Sequence, residues 1–284
     1  MVPAIHRPAM TSNIDENVVA GFGDEWSRFD QSALDQEELG RMFDNYFNIF
    51  PWDKLSPDAV GFDLGCGSGR WATMVAPRVK KLYLFDPSPD ALEVAKRNLN
   101  GARNCEFAIA GAENIPLDDE SCDFGYSLGV LHHIPDTEAG LQACVDKLRP
   151  GAPFLVYLYY NFDNRPAWFR LMWHLSNAVR QVICLLPNFL RYGLSQLLAA
   201  VVYFPLARLA LICEKLGMNV EYFPLSQYRH NSFYVMRNDS LDRFGTRLEQ
   251  RFSRAEIKQM MERCGLGNIT FSSTSFWTAV GFKA

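Results

Sequence analysis

Three glycines at alternate positions form the segment of this sequence with the clearest chemistry. Gly65, Gly67 and Gly69 come directly after an apolar run that ends at Leu64, and a helix-like segment, 71–76, follows them. Glycine readily adopts positive φ and lets a ligand approach the main chain without meeting a Cβ. A helix start adds unpaired N–H groups and the positive end of a dipole. The pattern predicts a strand, a tight turn and a helix N-terminus that together hold a nucleotide-like ligand.

Two carboxylates flank this turn and narrow the ligand. Asp63 precedes the glycines, where it would repel a pyrophosphate and would suit a cationic ammonium group. Asp86 ends a second apolar run, at the place where Rossmann-like folds bind a ribose diol, about 20 residues further on. A dinucleotide loop needs glycine where Arg70 stands, and the Gly-Lys-Ser/Thr end of a P-loop is absent. These residues predict an adenosine-type ribose with a positive end and no phosphate, which disfavours a dinucleotide-dependent oxidoreductase.

With these residues the chain resembles the class I S-adenosylmethionine-dependent methyltransferases of the small-molecule type, similar to the type 11 and quinone-methylating group. The resemblance runs from about residue 60 to residue 159 and continues weakly to the C-terminus. It implies an α/β, Rossmann-like doubly wound sheet of seven mostly parallel strands, the last antiparallel, with a helical insertion. It also implies S-adenosyl-L-methionine as cofactor, bound by Asp63, Gly65, Cys66, Gly67, Gly69, Asp86, Pro87, Ala112, Glu113, Ser127, Leu128 and Gly129.

One position departs from the family pattern. The loop on the adenine often carries an acid that binds the adenine amine, and Gly111 stands at that position here. We therefore expect backbone groups near Ala112, together with packing, to hold the adenine.

Candidate catalytic residues follow the fourth and fifth predicted strands. His132 and His133 stand where the resemblance puts the transferred methyl, and histidine titrates near neutrality, so either could take a proton from the acceptor. A structural or cofactor-side role for the pair is the alternative. Tyr160 is the third catalytic candidate. The candidates for the acceptor pocket are Trp26, Tyr159, Asn161, Arg229 and His230.

Composition limits the partners and the compartment. A net charge of −4 and a pI near 5.8 argue against a nucleic-acid substrate, which normally calls for a basic face. Seven cysteines without a C-x-x-C pair fit a reducing compartment and predict no metal site. No secretion signal is visible, so we expect a cytoplasmic protein, or one at the inner face of the membrane.

The chain divides into four predicted regions. From residue 60 to residue 160, strands alternate with helices, which indicates a parallel sheet covered on both faces. Residues 1–20 are expected to be loose. The regions are an N-terminal helical cap (1–50), the cofactor-binding core (51–162), a helical insertion or substrate lid (163–232), and a C-terminal helix and strands that complete the sheet (233–284).

The insertion contains an acid-free block, residues 164–213. It has no Asp or Glu, five arginines and many large apolar residues. Pro187 and Pro205 are expected to divide it into three helices, and no apolar run reaches the ~18 residues of a membrane span. A lid over a lipophilic acceptor, a helical layer or homodimer interface, and a helix on an anionic membrane surface remain open.

The sequence therefore predicts methyl transfer to a small or lipid-like acceptor. A catalytically inactive binding protein of the same fold, or a membrane-surface protein that uses residues 164–213, is the alternative. Residues 228–234 are expected to be a strand return past the pocket, and 242–247 a turn with surface ion pairs.

Overall fold

The computed structural model describes residues 12–163, 165–274 and 277–284. Its strands are β1 (Val60–Leu64), β2 (Lys81–Asp86), β3 (Cys105–Ile109), β4 (Phe124–Leu128), β5 (Pro153–Tyr157), β6 (Leu266–Phe271) and β7 (Thr278–Lys283). Its helices are α1 (Glu16–Arg28), α2 (Gln36–Phe47), α3 (Ala72–Val75), α4 (Pro89–Asn98), α5 (Thr137–Asp146), α6 (Ala167–Ile183), α7 (Asn188–Leu198), α8 (Phe204–Lys215), α9 (Phe233–Gly245) and α10 (Arg254–Arg263).

The strands form one seven-stranded sheet in the order β3-β2-β1-β4-β5-β7-β6. Strands β1 to β5 are parallel to one another, and β7 runs antiparallel to both β5 and β6. This confirms the predicted Rossmann-like sheet with an antiparallel last strand. Because parallel strands end at the same edge of a sheet, the carboxyl ends of β1, β2 and β4 lie side by side, and ligands of open α/β sheets bind at such an edge.

Side chains of β1 alternate between two buried layers, as the pleat of a strand requires. Phe62 and Leu64 belong to one apolar cluster, which α5 and α10 cover. Asp63 points to the other face, where its register partner Tyr126 lies in the second cluster with side chains of α2 and α3. The direction of Asp63 matters for the site described below.

The N-terminal segment is ordered from residue 12 onward, which differs from the predicted loose residues 1–20. Asp15 caps α1 by accepting from the backbone N–H groups of Asn17 and Val18. The Asn13 side chain exchanges hydrogen bonds with the backbone of Asp136. The part of the prediction that falls on residues 1–11 lies outside the described residues.

The segment 233–245 is a helix, α9, and corrects two predictions. Its N-cap is Ser232, whose hydroxyl accepts from the Val235 N–H at 3.3 Å. Arg243 does not form a surface pair: it binds Glu249, a carboxylate that is almost fully buried. Helix α9 packs on both α6 and α7, and we call α6, α7, α8 and α9 together the helical layer. The layer therefore continues past the predicted boundary at 232.

Helices α7 and α8 form one continuous helix, Asn188–Lys215, so the predicted break at Pro205 is wrong. A π-helical turn, Ala199–Tyr203, joins them, and Pro205 sits in the first turn of α8. In a helix interior a proline ring clashes with the carbonyl four residues before it, here that of Val201, and the π-helical turn changes the backbone at that place. Within the described residues, this 28-residue helix is long and apolar enough to cross a membrane, with a mean hydropathy of 1.9 over its most apolar window.

Four of the five arginines in the acid-free block point inward and bind backbone carbonyls. Arg180 donates to the carbonyl oxygens of Thr246 and Arg247, and Arg191 donates to that of Gly245, all at the C-terminal end of α9. Cations at that end satisfy unpaired carbonyls and complement the helix dipole. The remaining inward pairs are Arg165 with the Glu221 carbonyl, and Arg208 with those of Arg229 and Asn231.

We predict that Gly61→Ala destabilises the fold by about 1–3 kcal/mol, because overpacking a filled core costs that much. The added Cβ would overlap the Phe124 ring on the adjacent strand. Gly101→Ala is the matched control, since a Cβ there meets nothing within 4 Å. Urea unfolding of both variants checks this, and equal midpoints for the two would contradict the packing described.

Candidate cofactor and acceptor site

The glycine turn is fastened to the end of β2 by three hydrogen bonds. The Gly65 and Cys66 N–H groups both donate to the Phe85 carbonyl, at 2.7 and 3.0 Å. The Gly67 N–H donates to Asp86 Oδ2 at 2.9 Å. Gly65 and Gly67 have φ values of 77° and 53°, which favour glycine. The turn predicted from the sequence is therefore present, and its position is set by Asp86.

Trp26 of α1 covers this turn. A Cβ on Gly67 would lie 2.7 Å from Trp26 Nε1, so the ring rests directly on the backbone. The Arg70 guanidinium stacks over Trp26 and Trp71, 5.3 and 4.5 Å from their ring centroids. Trp26 and Arg70 both line the large cavity beside the turn, and sequence reasoning had proposed only Trp26 for the pocket.

Asp86 fits the predicted role of binding a ribose diol. Its Oδ1 accepts from the Ser88 N–H and its Oδ2 from Gly67, each at 2.9 Å. An ionised carboxylate has about four acceptor sites, so about two remain for hydroxyl donors. Asp86 and the adjacent Pro87 both line the cavity. Burial raises the pKa of Asp86 to about 6, so the group is mostly ionised at neutral pH.

The position of Asp63 does not favour the predicted direct contact with a cationic group. It is buried and lies outside the cavity wall formed by the described residues. Burial raises its pKa to about 8, against the opposite effect of the neighbouring Tyr126 hydroxyl. Strand alternation explains the difference: with Leu64 facing one layer, Asp63 must face the other.

The other residues of the turn lie mostly behind the cavity wall, in the protein interior. Cys66, Gly67 and Gly69 are buried and lie outside the described cavity wall, whereas Gly65 is part of it. Burial raises the pKa of the Cys66 thiol well above its usual value. The thiol is therefore uncharged at neutral pH and has a packing role.

The loop after β3 brings Gly111 and Ala112 to the cavity wall. The Gly111 N–H donates to Asn114 Oδ1 at 2.8 Å, and a Cβ at Gly111 would lie 2.9 Å from Ile14 Cδ1. Ile14 therefore covers the place where an acid was expected. Glu113 is exposed and accepts from the Asn13 N–H at 2.7 Å, so it holds the N-terminal segment and is not part of the described wall.

The end of β4 leaves room for a ligand. Ser127 is fully buried and its hydroxyl donates to the Leu64 carbonyl at 2.9 Å, which joins β4 to β1. Leu128 and Gly129 line the cavity. Gly129 has a φ of 79°, and a Cβ there would meet no atom within 4 Å. Gly129 thus faces open space of the kind that a bound cofactor fills.

The two histidines have different environments. The Nδ1 of His133 lies 2.7 Å from the Leu248 carbonyl oxygen, which can only accept, so in the neutral ring Nδ1 carries the proton. The Nε2 atom is left bare, has no hydrogen-bond partner and belongs to a side chain on the cavity wall. Burial lowers the pKa of His133, so the ring stays neutral at pH 7.

His132 cannot act as the predicted alternative base. It is completely buried and lies outside the cavity wall of the described residues. Its ring packs against His133 and Tyr159, with centroids 4.0 and 3.8 Å away. Burial lowers its pKa well below the usual value, so it is a neutral packing residue.

The cavity continues from the glycine turn into a chamber roofed by the helical layer. Its volume is about 1090 Å³. The chamber is lined mainly by aromatic and aliphatic side chains, among them Tyr157, Tyr159, Tyr160, Phe169, Trp173 and Tyr203. Tyr159 and Tyr160 are therefore where the sequence predicted them, at the end of β5.

Acidic side chains on one side of the chamber were missed by the sequence reading. Asp242 accepts from the Tyr159 hydroxyl, and Glu25 accepts from Asn238 Nδ2 at 2.5 Å. Burial raises the pKa of Asp239 to about 6, against the opposing charge of Arg70. The spacing of 238, 239 and 242 puts these polar groups on one face of a helix, a signal hidden by reading 242–247 as a turn.

Three predicted pocket residues have other partners. Arg229 and His230 line the cavity, but both bind Glu214, with closest N–O distances of 2.7 and 2.9 Å. Asn161 lies outside the described wall, and its Oδ1 accepts from the Asp163 N–H at 3.1 Å. None of them has the free anchoring role expected from the sequence.

The described residues define a Rossmann-like fold with a cavity at the carboxyl ends of β1, β2 and β4. Residues 62–156 match a family model described as a methyltransferase domain. Residues 62–156 therefore form a methyltransferase domain, and the cofactor of this class of domain is S-adenosylmethionine. The open space at Gly129 and the free acceptor sites of Asp86 fit that cofactor.

Curated relatives match at low identity. A ubiquinone biosynthesis O-methyltransferase of Idiomarina loihiensis is 26% identical over 44% of this chain and 61% of its own length. A malonyl-[acyl-carrier protein] O-methyltransferase of Serratia marcescens is 26% identical over 49% and 51%. A tRNA (carboxymethyluridine(34)-5-O)-methyltransferase, ALKBH8 of Macaca fascicularis, is 28% identical over 48% and 21%. The chain thus spans a fifth to three fifths of the length of these relatives.

Solved structures share the fold over most of the chain. One chain of a complex that contains the Haloferax volcanii Trm112 methyltransferase activator has a TM-score of 0.56 at 15% identity, covering 93% of this chain and 96% of that one. An O-methyltransferase family protein from Burkholderia thailandensis has a TM-score of 0.51 at 14% identity, covering 95% and 60%.

We predict that S-adenosylmethionine binds about fourfold more weakly at pH 5.5 than at pH 7.5. Asp86 has a raised pKa of about 6, so it gains a proton as the pH falls through that value and loses its charge as an acceptor. Asp86→Asn should weaken binding by roughly 10–100-fold at pH 7.5 and flatten this pH dependence, since a hydrogen bond to a charged group is lost.

Calorimetric titration at both pH values checks this, with Asp90→Asn as the control because Asp90 is exposed on α4. Unchanged affinity in Asp86→Asn would contradict the assignment of Asp86 to the ribose.

Proposed function

We propose that this protein transfers a methyl group from S-adenosylmethionine to the hydroxyl oxygen of a small lipophilic acceptor. The observation that carries the proposal is the single cavity that joins the glycine turn to the aromatic chamber under the helical layer. Ligand pockets commonly have volumes of about 300–1,000 Å³, so a cavity slightly above this range has room for a cofactor and an acceptor together.

The lining of the chamber supports an apolar acceptor with one polar end. Tyr157, Phe169 and Trp173 offer apolar surface, while Asp239 and Asp242 lie at one side. Small-molecule sites typically combine an apolar wall with a few placed polar groups that fix orientation. The helical layer roofs the chamber, so we propose that the insertion is the substrate lid and that it includes α9.

His133 is the proposed general base. S-adenosylmethionine, when bound, supplies an electrophilic methyl on its sulfonium sulfur, so orientation and exclusion of water are the main tasks of the protein. The carbonyl of Leu248 fixes the proton of His133 on Nδ1, and the bare Nε2 can then accept the proton of an acceptor hydroxyl. Tyr160 lies on the same wall and is proposed to orient the acceptor.

Oxygen as the target atom is supported by the names of the ubiquinone and malonyl-[acyl-carrier protein] O-methyltransferases among the relatives. The direct test is transfer of labelled methyl from S-adenosylmethionine to lipophilic phenols and to fatty carboxylic acids, with bulk tRNA as a further substrate. Transfer to a phenol alone is the expected result. Transfer to tRNA, to the acids or to none of them would contradict the proposal.

We predict that His133→Gln lowers kcat by about 10²–10⁴-fold, the usual contribution of a positioned base. Because burial lowers the pKa of His133, kcat of the wild type should fall only at pH values below the ordinary range of histidine. The variant should not show this fall of kcat at low pH. Affinity for S-adenosylmethionine should stay within about twofold in both.

His174→Gln is the control, since His174 is exposed and lies outside the described cavity wall. If His133→Gln retains wild-type kcat with the same pH profile, the base is another group.

A further inference from the structure

Large apolar side chains are exposed along one part of the helical layer. Among the described residues, fifteen of the twenty exposed large hydrophobics fall within the acid-free block. Monomeric soluble proteins rarely expose apolar patches of more than a few hundred Å². We call this feature the apolar face and define it by the exposed apolar residues of α6, of α7–α8 and of the turn between them.

The apolar face follows helical spacing on both helices. On α6 the exposed apolar positions are 168, 171, 172, 175, 179 and 182, and on α7 and the π-helical turn they are 189, 190, 194, 197 and 201. Steps of three and four residues put each set on one side of its helix. Leu185 and Phe189, 66% and 71% exposed, connect the two stripes at the turn.

The opposite side of the long helix holds it to the protein. Arg191, Ser195, Ala199 and Tyr203 are buried, and Arg191 binds the Gly245 carbonyl. A membrane-spanning orientation would separate this buried side from α9 and would take from Arg191 the carbonyl to which it donates. The helix therefore presents one face outward while the other remains packed on α9.

The chemistry of the apolar face suits a lipid surface. The block 164–213 contains no carboxylate, whereas the rest of the chain contains all 32 Asp and Glu residues. Arg170 and His174 are exposed on α6, and the exposed Lys215 ends α8. The block has no carboxylate that would repel anionic headgroups, and the exposed Arg170 and Lys215 attract them.

We propose that the apolar face lies on a lipid bilayer, with α6 and α7–α8 in the interface plane and the chain not spanning it. A protein partner would need polar groups for about one hydrogen bond per 100–200 Å² of interface, and this face offers few. Because four of the five arginines bind internal carbonyls, burial of apolar side chains supplies most of the affinity. Anionic lipid adds a smaller part.

The cavity reaches this face. Met172 on α6 is about half exposed and also lines the chamber, next to Trp173 and Ser176. A lipophilic acceptor dissolved in the bilayer would thus enter the chamber without crossing water. This consequence rests on the proposed function, whereas the docking itself does not depend on what the acceptor is.

Flotation of the full chain with two kinds of vesicle tests the docking. One kind is pure phosphatidylcholine, and the other contains ~20% phosphatidylserine as an anionic lipid. We expect the protein to rise with both vesicle types. The double variant Leu185→Glu and Phe189→Glu should lose at least about tenfold in vesicle partitioning, since each large apolar side chain contributes about that factor or more.

Ile109→Glu is the control, because Ile109 is 62% exposed on β3, outside the apolar face. Circular dichroism and S-adenosylmethionine affinity, both expected unchanged, show that each variant is folded. A wild-type protein that stays at the bottom with both vesicle types overturns the proposal. A second outcome also overturns it: light scattering shows that the wild type is a dimer and the double variant a monomer, and the wild type does not float with either vesicle type.

Discussion

The hydrogen bonds that fasten the glycine turn to the end of β2 are the interaction on which the site depends. The Asp86 carboxylate accepts from the Gly67 N–H, and the Phe85 carbonyl accepts from the N–H groups of Gly65 and Cys66. These bonds fix the backbone of the turn, so Trp26 can rest on Gly67. The same carboxylate keeps acceptor sites for a ribose. One buried acid thus positions the turn, and its two backbone hydrogen bonds offset the cost of its burial.

The helical layer is held by a second set of buried polar contacts. Two arginines of the layer bind carbonyls at the C-terminal end of α9, and Ser240 donates to the Ser195 carbonyl at 2.8 Å. Buried charges need such partners, because an unpaired one is costly. Most of the cations of the layer are thus bound to internal carbonyls, and its outer side is the apolar face.

The sheet was predictable from the sequence because strand and helix periodicities alternate cleanly between residues 60 and 160. The turn, Asp86 and the antiparallel last strand followed from motif spacing and family resemblance. Helix α9 was not predictable in this way, since Asn238, Asp239 and Asp242 are weak helix formers whose polar face points to a cavity. The direction in which the Asp63 side chain points depends on the pleat of β1. The continuity of the helix through Pro205 depends on the π-helical turn before it. The partners of Arg229 and His230 required knowledge of tertiary contacts.

Hydrogen exchange with and without S-adenosylhomocysteine measures most directly whether the turn, α1 and the loop after β3 form one cofactor site. We expect slower exchange in the segments around Gly67, Trp26, Ala112 and Gly129, and unchanged exchange along the outward side of α6 around Leu175. Protection confined to the glycine turn, with none around Trp26 and Ala112, would contradict a site assembled from these elements.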